Sequence, residues 1–167
     1  MKMRLLCLAL LAGACSSPKG GGADAAPLER ALDRASGSAW MALEGLDGTL
    51  HDLGKSFAAK RAVALVFWQT WCAACLREGP RLAGAAGRLS GSIDFYGVVT
   101  GPDDVVDEEA VASTAQKLGL PYPQVRDRSA ALARRFGVLG TPTIVVIEPS
   151  GEVSYHGHEL PAEWVSK

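Results

Sequence analysis

Apolar runs along the chain predict buried β-strands. Residues 62–68 have the sequence AVALVFW and residues 143–148 the sequence TIVVIE, without the polar alternation of a half-exposed strand. Strands covered on both faces, as in a sheet between helices, have this continuous apolar character. Residues 93–100, IDFYGVVT, predict another long strand, and shorter strands are expected at residues 124–126 and 152–156.

Helical periodicity occupies the segments between these strands. In residues 74–90 the small and apolar positions recur on one helical face, at Cys75, Gly79, Leu82, Ala86 and Leu89. Pro80 falls inside this helix, where a missing N–H predicts a kink. Further helices are expected at residues 107–118 and 129–136, with a short final helix at 161–167. The alternation predicts an α/β sandwich with a mixed central sheet.

A β-hairpin is predicted before the first long strand. Residues 40–53 carry Asp47-Gly48 between two arms that contain apolar residues. Asp-Gly in such a position is a strong signal for a tight hairpin turn. We therefore expect an N-terminal β-hairpin extension to the sandwich.

The first residues have the layout of an export signal. A basic start precedes an apolar stretch too short to span a bilayer, and small residues lead up to Cys15. The segment LAGAC at residues 11–15 resembles a bacterial lipobox. The resemblance implies a lipoprotein signal peptide at residues 1–14 and a lipid on Cys15. Ala12 stands where the lipobox prefers Leu, so cleavage after Ala14 without lipidation is the alternative.

Composition supports one globular domain after this leader. Of the 167 residues, 48% are apolar and 21% charged, which excludes a disordered chain. The formal net charge is −1 and no basic stripe is present, so nucleic acid is not an expected partner. Residues 15–38 begin with a Gly-, Ala- and Ser-rich segment, which predicts a flexible tether behind the anchor cysteine. The domain itself is expected at residues 39–167.

The candidate chemistry lies in WQTWCAACLREGP, residues 68–80, where a predicted strand leads directly into a helix. Cys72 falls at the helix N-terminus, where unpaired N–H groups and the helix dipole stabilise a thiolate. Cys75 follows one turn later. The spacing suits disulfide exchange in which Cys72 attacks a substrate disulfide and Cys75 resolves the mixed disulfide.

Two other uses of the cysteine pair are less favoured. A zinc site needs two more ligands, and the spacing of His51, His156 and His158 is not that of a zinc finger. A purely structural disulfide across one helical turn closes too small a loop to constrain the unfolded chain much. We therefore expect no metal and no cofactor other than the redox-active Cys72–Cys75 disulfide.

Two further positions are candidates for the same site. Glu78, three residues past Cys75, could act as its acid or base if partly buried, and is otherwise a solvated helix residue. Thr141-Pro142 precedes a buried strand, where a proline cannot donate to the sheet. A special turn with a cis bond would suit this position, and an ordinary strand-initiating proline is the alternative.

Together these segments resemble the thioredoxin superfamily, specifically the TlpA/ResA type of membrane-tethered thiol-disulfide oxidoreductase. AVALVFWQTWCAACLREGP and GVLGTPTIVVIEPSGEV carry the resemblance, including eight positions from Cys72 to Pro80. Ala74 departs from the family, which usually has Pro before the second cysteine.

The resemblance implies a role for each site residue. Cys72 corresponds to the exposed nucleophile, Cys75 to the buried resolving thiol, and Glu78 to an acidic residue of ResA-type proteins. The cis-proline of the family shapes a substrate groove, and a preceding residue offers its backbone to an extended substrate. The substrate-binding positions are then Trp71, Thr141 and Pro142.

The resemblance also implies partners and a location. It predicts an exported monomer, anchored to the membrane by lipid and facing the periplasm or cell exterior. It would reduce disulfides in exported proteins, with electrons from a membrane donor of the DsbD type. No His lies between the cysteines, whereas in oxidising relatives that His stabilises the reduced form. The reducing direction is therefore expected.

A copper-binding chaperone of the SCO kind is the alternative function on the same fold. It would use Cys72, Cys75 and a histidine as ligands, because thiolates suit Cu(I), but SCO-type proteins separate their cysteines by three residues. A peroxiredoxin would need Pro-x-x-x-Thr-x-x-Cys ending at Cys72. Leu65 and Gln69 occupy the Pro and Thr positions, so this pattern is absent.

Overall fold

The structure of the chain, a computed structural model, describes residues 40–165. The predicted signal peptide, Cys15 and the whole of the predicted tether lie outside these residues. The strands are β1 Ala42–Glu44, β2 Leu50–Asp52, β3 Ala62–Phe67, β4 Ile93–Thr100, β5 Gln124–Asp127, β6 Thr143–Ile147 and β7 Val153–Gly157. The helices are α1 Leu53–Ala58, α2 Ala73–Leu89, α3 Glu108–Lys117, α4 Ala131–Arg135 and α5 Ala162–Val165.

A five-stranded mixed sheet forms the centre of the fold. Its strand order is β5-β4-β3-β6-β7, with β3, β4 and β5 parallel and with β6 and β7 antiparallel to their neighbours. The parallel connections pass through α2 and α3, as the alternation of strands and helices predicts. The predicted α/β sandwich with a mixed sheet is therefore confirmed.

The predicted hairpin forms a second, two-stranded sheet. β1 and β2 pair antiparallel, and the turn has Gly48 at φ +76°, a conformation that favours glycine. The Asp47 carboxylate accepts a hydrogen bond from the Thr49 amide at 2.9 Å. The hairpin also reaches the central sheet, because the Leu46 amide donates to the Gln124 carbonyl at the start of β5. This contact attaches the extension to the edge of the sandwich.

β3 is buried at every position because it has a packed layer on each face. Val63, Leu65 and Phe67 belong to the layer that contains the hairpin and α4. Ala64 and Val66 belong to the opposite layer, with the buried face of α2. Continuous apolar sequence is what such a two-sided position requires. Within residues 40–165, no helix combines the length and apolar character needed to cross a bilayer.

Two helices differ from the sequence prediction. α1 was not expected, because six residues are too few for a periodic pattern; its one signal is Asp52, which caps the helix by accepting from the Gly54 amide. α4 begins later than predicted, after Ala130 in a left-handed conformation. The carboxylate of Asp127, the last residue of β5, accepts hydrogen bonds from two amides in the first turn of α4 and thereby caps the helix.

Arg126 is a charged residue inside β5 with no exposed side-chain area. Its guanidinium donates to the carbonyls of Val99 (3.3 Å) and Gly101 (2.9 Å). It also donates to the carboxylates of Asp103 (3.1 Å) and Glu108 (2.9 Å). The bond from Arg126 is the largest contribution that holds the pKa of Asp103 below its ordinary value. Arg126 thus joins the end of β4, the loop after it and the start of α3.

Arg126→Met is expected to lower the free energy of unfolding by about 2–4 kcal/mol, because buried carbonyls lose their donor and carboxylates lose their counter-charge. Arg128→Met is the matched control. Arg128 is 38% exposed and pairs with carboxylates at the surface, so its loss is expected to cost clearly less than that of Arg126. Urea unfolding measures both variants, with the denaturant slope checked for change. Equal losses would contradict the role given to Arg126.

Candidate active site

The active-site cysteines lie where β3 ends and α2 begins. Cys72 is the N-cap of α2, with extended backbone at φ −80° and ψ 101°. Its Sγ accepts a hydrogen bond from the Cys75 amide at 3.1 Å, in the way that an Asp or Ser oxygen caps other helices. An N–H directed at this sulfur stabilises negative charge on it once the disulfide is reduced.

Cys72 and Cys75 form a disulfide, with their Cα atoms 5.2 Å apart. The exposed fractions of the two residues are 7% and 4%. Cys75 is buried, as predicted. The expectation of an exposed Cys72 is wrong for the oxidised protein, in which Cys72 is buried and the loop before β6 contacts its sulfur.

The loop that contacts Cys72 is the predicted proline turn. The Thr141–Pro142 peptide bond is cis. The Thr141 carbonyl oxygen lies 3.3 Å from Cys72 Sγ, although the two residues are 69 positions apart in the sequence. The structure therefore brings Cys72, Cys75, Thr141 and Pro142 together at one end of the sheet.

Exposed apolar side chains flank these residues. Trp71, next to Cys72, is 74% exposed, and Leu139, two positions before Thr141, is 98% exposed. Leu76, which follows Cys75, is 37% exposed. The sequence indicated Trp71 as a substrate-binding residue but not the two leucines, because an isolated Leu carries no signal until its exposure is known.

Glu78 lies at the rim of the site, on α2. Its side chain is 28% exposed, and its carboxylate pairs with Arg81 at 2.9 Å. Glu78 and Arg81 line a cleft of about 460 Å³ together with Thr141, Pro142 and His158. The structure therefore places Glu78 on the proline-turn side of the disulfide, with its carboxylate engaged by an arginine. A proton role toward Cys75 stays a prediction.

A buried indole lies beneath the disulfide. Trp68 packs in one cluster with both cysteines, and its Nε1 donates to Gln124 Oε1 at 2.8 Å. The Gln124 amide in turn donates to the Tyr122 carbonyl at 2.8 Å. Gln124 was not predicted as a site residue. It is the first residue of β5, and only the order of the strands brings it to the end of β3.

The histidines do not gather around the cysteines. His156 Nε2 lies 2.8 Å from the Phe136 carbonyl, and His158 Nδ1 lies 2.8 Å from the Pro142 carbonyl. Among residues 40–165, no three His, Cys, Asp or Glu side chains are grouped so as to hold a metal ion. The geometry of this part of the chain thus gives no support to the copper-chaperone alternative.

Comparison with known proteins places the chain in a family. Its sequence matches the AhpC/TSA family over residues 39–156. It is 29% identical to the thiol-disulfide oxidoreductase ResA of Halalkalibacterium halodurans, over 75% of this chain and 69% of that protein. It is 30% identical to probable nucleoredoxin 2 of Oryza sativa, over 69% of this chain but only 30% of that protein. Other ResA proteins are matched over as little as 50% of their length.

A solved structure has the same fold. A secreted disulfide oxidoreductase of Mycobacterium tuberculosis, described as homologous to Escherichia coli DsbE, superposes with a TM-score of 0.58. The superposition covers 72% of this chain and 84% of that one, at 24% identity. The predicted resemblance to TlpA/ResA-type proteins is confirmed, and the chain belongs to the AhpC/TSA family of the thioredoxin superfamily.

Proposed function

We propose that this protein is a thiol-disulfide oxidoreductase in which Cys72 is the nucleophile and Cys75 the resolving thiol. One observation carries the proposal. Cys72 Sγ lies between the amide that begins α2, at 3.1 Å, and the carbonyl of the cis-proline turn, at 3.3 Å. The amide stabilises the thiolate, and the turn offers backbone groups to a peptide that approaches the same sulfur.

The reaction transfers two electrons from the reduced pair to the substrate. The Cys72 thiolate attacks one sulfur of the substrate disulfide; a mixed disulfide forms and the first substrate thiolate leaves and takes a proton. Cys75 then loses its proton and attacks Cys72 Sγ. The second substrate thiolate leaves, is protonated, and the Cys72–Cys75 disulfide remains. Glu78, in the adjacent cleft, is proposed as the base for Cys75.

We further propose that the protein works outside the cytoplasm as a membrane-tethered reductant. The basic and apolar layout of residues 1–14, followed by Cys15, supports export and lipidation. The protein-disulfide substrates are then exported proteins, and a membrane donor of the DsbD type returns electrons to the Cys72–Cys75 pair. The absence of His between the cysteines supports the reducing direction.

The reduction potential of the Cys72–Cys75 pair tests the direction. We expect a value close to that of thioredoxin, about −270 mV, and far from that of the strong oxidant DsbA, about −120 mV. Equilibration with glutathione or dithiothreitol buffers, followed by alkylation of free thiols, measures it. A potential near that of DsbA would contradict the assignment as a reductant but not the disulfide-exchange chemistry. Catalysis of insulin reduction tests the exchange chemistry separately.

A peroxidase function is the main competitor within this family. The Pro and Thr positions of the peroxiredoxin pattern are occupied by Leu65 and Gln69. Leu65 is fully buried in β3, and the Gln69 amide donates to the Thr100 carbonyl. Neither side chain presents a hydroxyl to the Cys72 sulfur. The observations therefore favour disulfide exchange.

A further inference from the structure

His158, the residue after β7, contacts the cis-proline turn through its imidazole ring. Its Nδ1 lies 2.8 Å from the Pro142 carbonyl oxygen and 3.2 Å from Thr143 Oγ1. The pairing of β6 with β7 ends at Ile144 and Gly157. Pro142 and Thr143 therefore lie just beyond the last residues that pair with β7, although Thr143 still pairs with Phe67 of β3. The imidazole supplies a contact where β7 no longer does.

The hydrogen-bond partners decide which tautomer His158 has. A carbonyl can only accept, so Nδ1 must carry the hydrogen that bonds to the Pro142 oxygen. The Thr143 hydroxyl donates to the Gly140 carbonyl at 2.7 Å, which leaves its oxygen free to accept from the same Nδ1–H. All contacts are thus satisfied by one arrangement, in which Nδ1–H donates to Pro142 and Thr143, and the Thr143 hydroxyl donates to Gly140. Imidazolium also carries hydrogen at Nδ1, so protonation of the ring keeps the arrangement.

The turn held in this way is the part of the site that faces a substrate. The Thr141 carbonyl lies 3.3 Å from Cys72 Sγ, and Thr141 is bonded directly to the Pro142 that His158 holds. A shift of the Pro142 carbonyl would turn the Pro142–Thr143 peptide and displace Pro142, and with it the adjoining Thr141 carbonyl beside the sulfur. His158 also lines the cleft that contains this peptide.

We propose that His158 is a positioning residue of this oxidoreductase, which holds the cis-proline turn in the geometry that binds an extended polypeptide segment beside Cys72. This inference rests on the proposed function. It assigns His158 to recognition of peptide disulfides and not to the chemistry of the sulfur. Small disulfides without a peptide backbone have no use for the turn, so their reduction does not depend on His158.

The test compares two substrates in two variants. His158→Leu removes the donor, whereas His158→Asn places an amide N–H on Cγ, at the position of Nδ1. For insulin, kcat/KM should fall about tenfold in His158→Leu, the size of one lost hydrogen bond, and stay within about twofold of wild type in His158→Asn. For 2-hydroxyethyl disulfide both variants should match the wild type. His156→Leu is the matched control, because that ring bonds to the Phe136 carbonyl away from the turn.

Three outcomes would overturn the proposal: an equal loss for both substrates, no loss for either, or a His158→Asn variant as impaired as His158→Leu. If wild-type protein itself fails to reduce insulin, it is the proposed function that fails. Long-range ¹H–¹⁵N spectra of the imidazole rings in the wild-type protein report the tautomer of His158. This measurement depends neither on activity nor on the folding of a variant. The neutral His158 ring should carry its hydrogen on Nδ1, and an Nε2–H tautomer would also overturn the proposal.

Discussion

Cys72→Ser is expected to abolish catalysed reduction of insulin disulfides. The rate that remains should be that of the uncatalysed reaction of insulin with the chemical reductant. The fold should persist, because a Ser oxygen can accept the Cys75 amide bond that Cys72 Sγ accepts in the wild type. The chemistry cannot persist, because a hydroxyl neither ionises near neutral pH nor forms a disulfide with the substrate. The assay follows precipitation of the insulin B chain with dithiothreitol as electron source.

The control for Cys72→Ser is the wild-type protein with its disulfide reduced. Both lack the Cys72–Cys75 bond, so their urea midpoints should agree and show that loss of activity is not loss of fold. Catalysis at or near the wild-type rate by Cys72→Ser would refute the assignment of the nucleophile. It would leave the fold and the family untouched.

Cys75→Ala is expected to stop turnover after the first attack and to accumulate a covalent adduct with the substrate. Cys75 is bonded to Cys72, and it is the Cys72 sulfur that lies against the proline turn, so the position of Cys75 suits attack on the neighbouring sulfur. Without it, the mixed disulfide on Cys72 has no intramolecular nucleophile to release it. Mass spectrometry under non-reducing conditions should find one insulin molecule per protein.

The double variant Cys72→Ser, Cys75→Ala is the control for trapping, and it should form no adduct. An adduct in the double variant would show that another group reacts. Sustained turnover by Cys75→Ala would mean that a second substrate thiol or the reductant resolves the intermediate, and the resolving role of Cys75 would be withdrawn. The adduct also offers a way to identify physiological substrates.

Local features of the sequence predicted most of the elements. The apolar runs at residues 62–68, 93–100 and 143–148 correspond to β3, β4 and β6, because a strand covered on both faces must be apolar throughout. α2 follows from a period of 3.6 residues, and the hairpin from Asp-Gly in a turn. The six-residue helix α1 and the late start of α4 were not predictable, because a single cap residue governs each of them.

The chemistry of the cysteine pair was likewise predictable from residues that are close together in the sequence. Cys72 and Cys75 are one helical turn apart, so their spacing and the strand before them suffice to predict a disulfide at a helix N-terminus. A special turn at Thr141-Pro142 was a local prediction, but its place beside Cys72 required the family resemblance, because no local rule brings together residues 69 positions apart. The resemblance also implied an exposed Cys72, which is wrong because Cys72 is buried, with the Thr141 carbonyl 3.3 Å from its sulfur.

The strands, the main helices, the hairpin and the reactive dithiol follow from the amino-acid sequence alone, since each depends on neighbours within a few residues. Three contacts became visible only in the folded chain: Gln124 with Trp68, Arg126 with the loop after β4, and His158 with the proline turn. Each of these joins polar groups from different strands or from the loops that follow them. Such contacts depend on strand order and register. The same local patterns are compatible with many strand orders and registers, so the patterns do not specify these contacts.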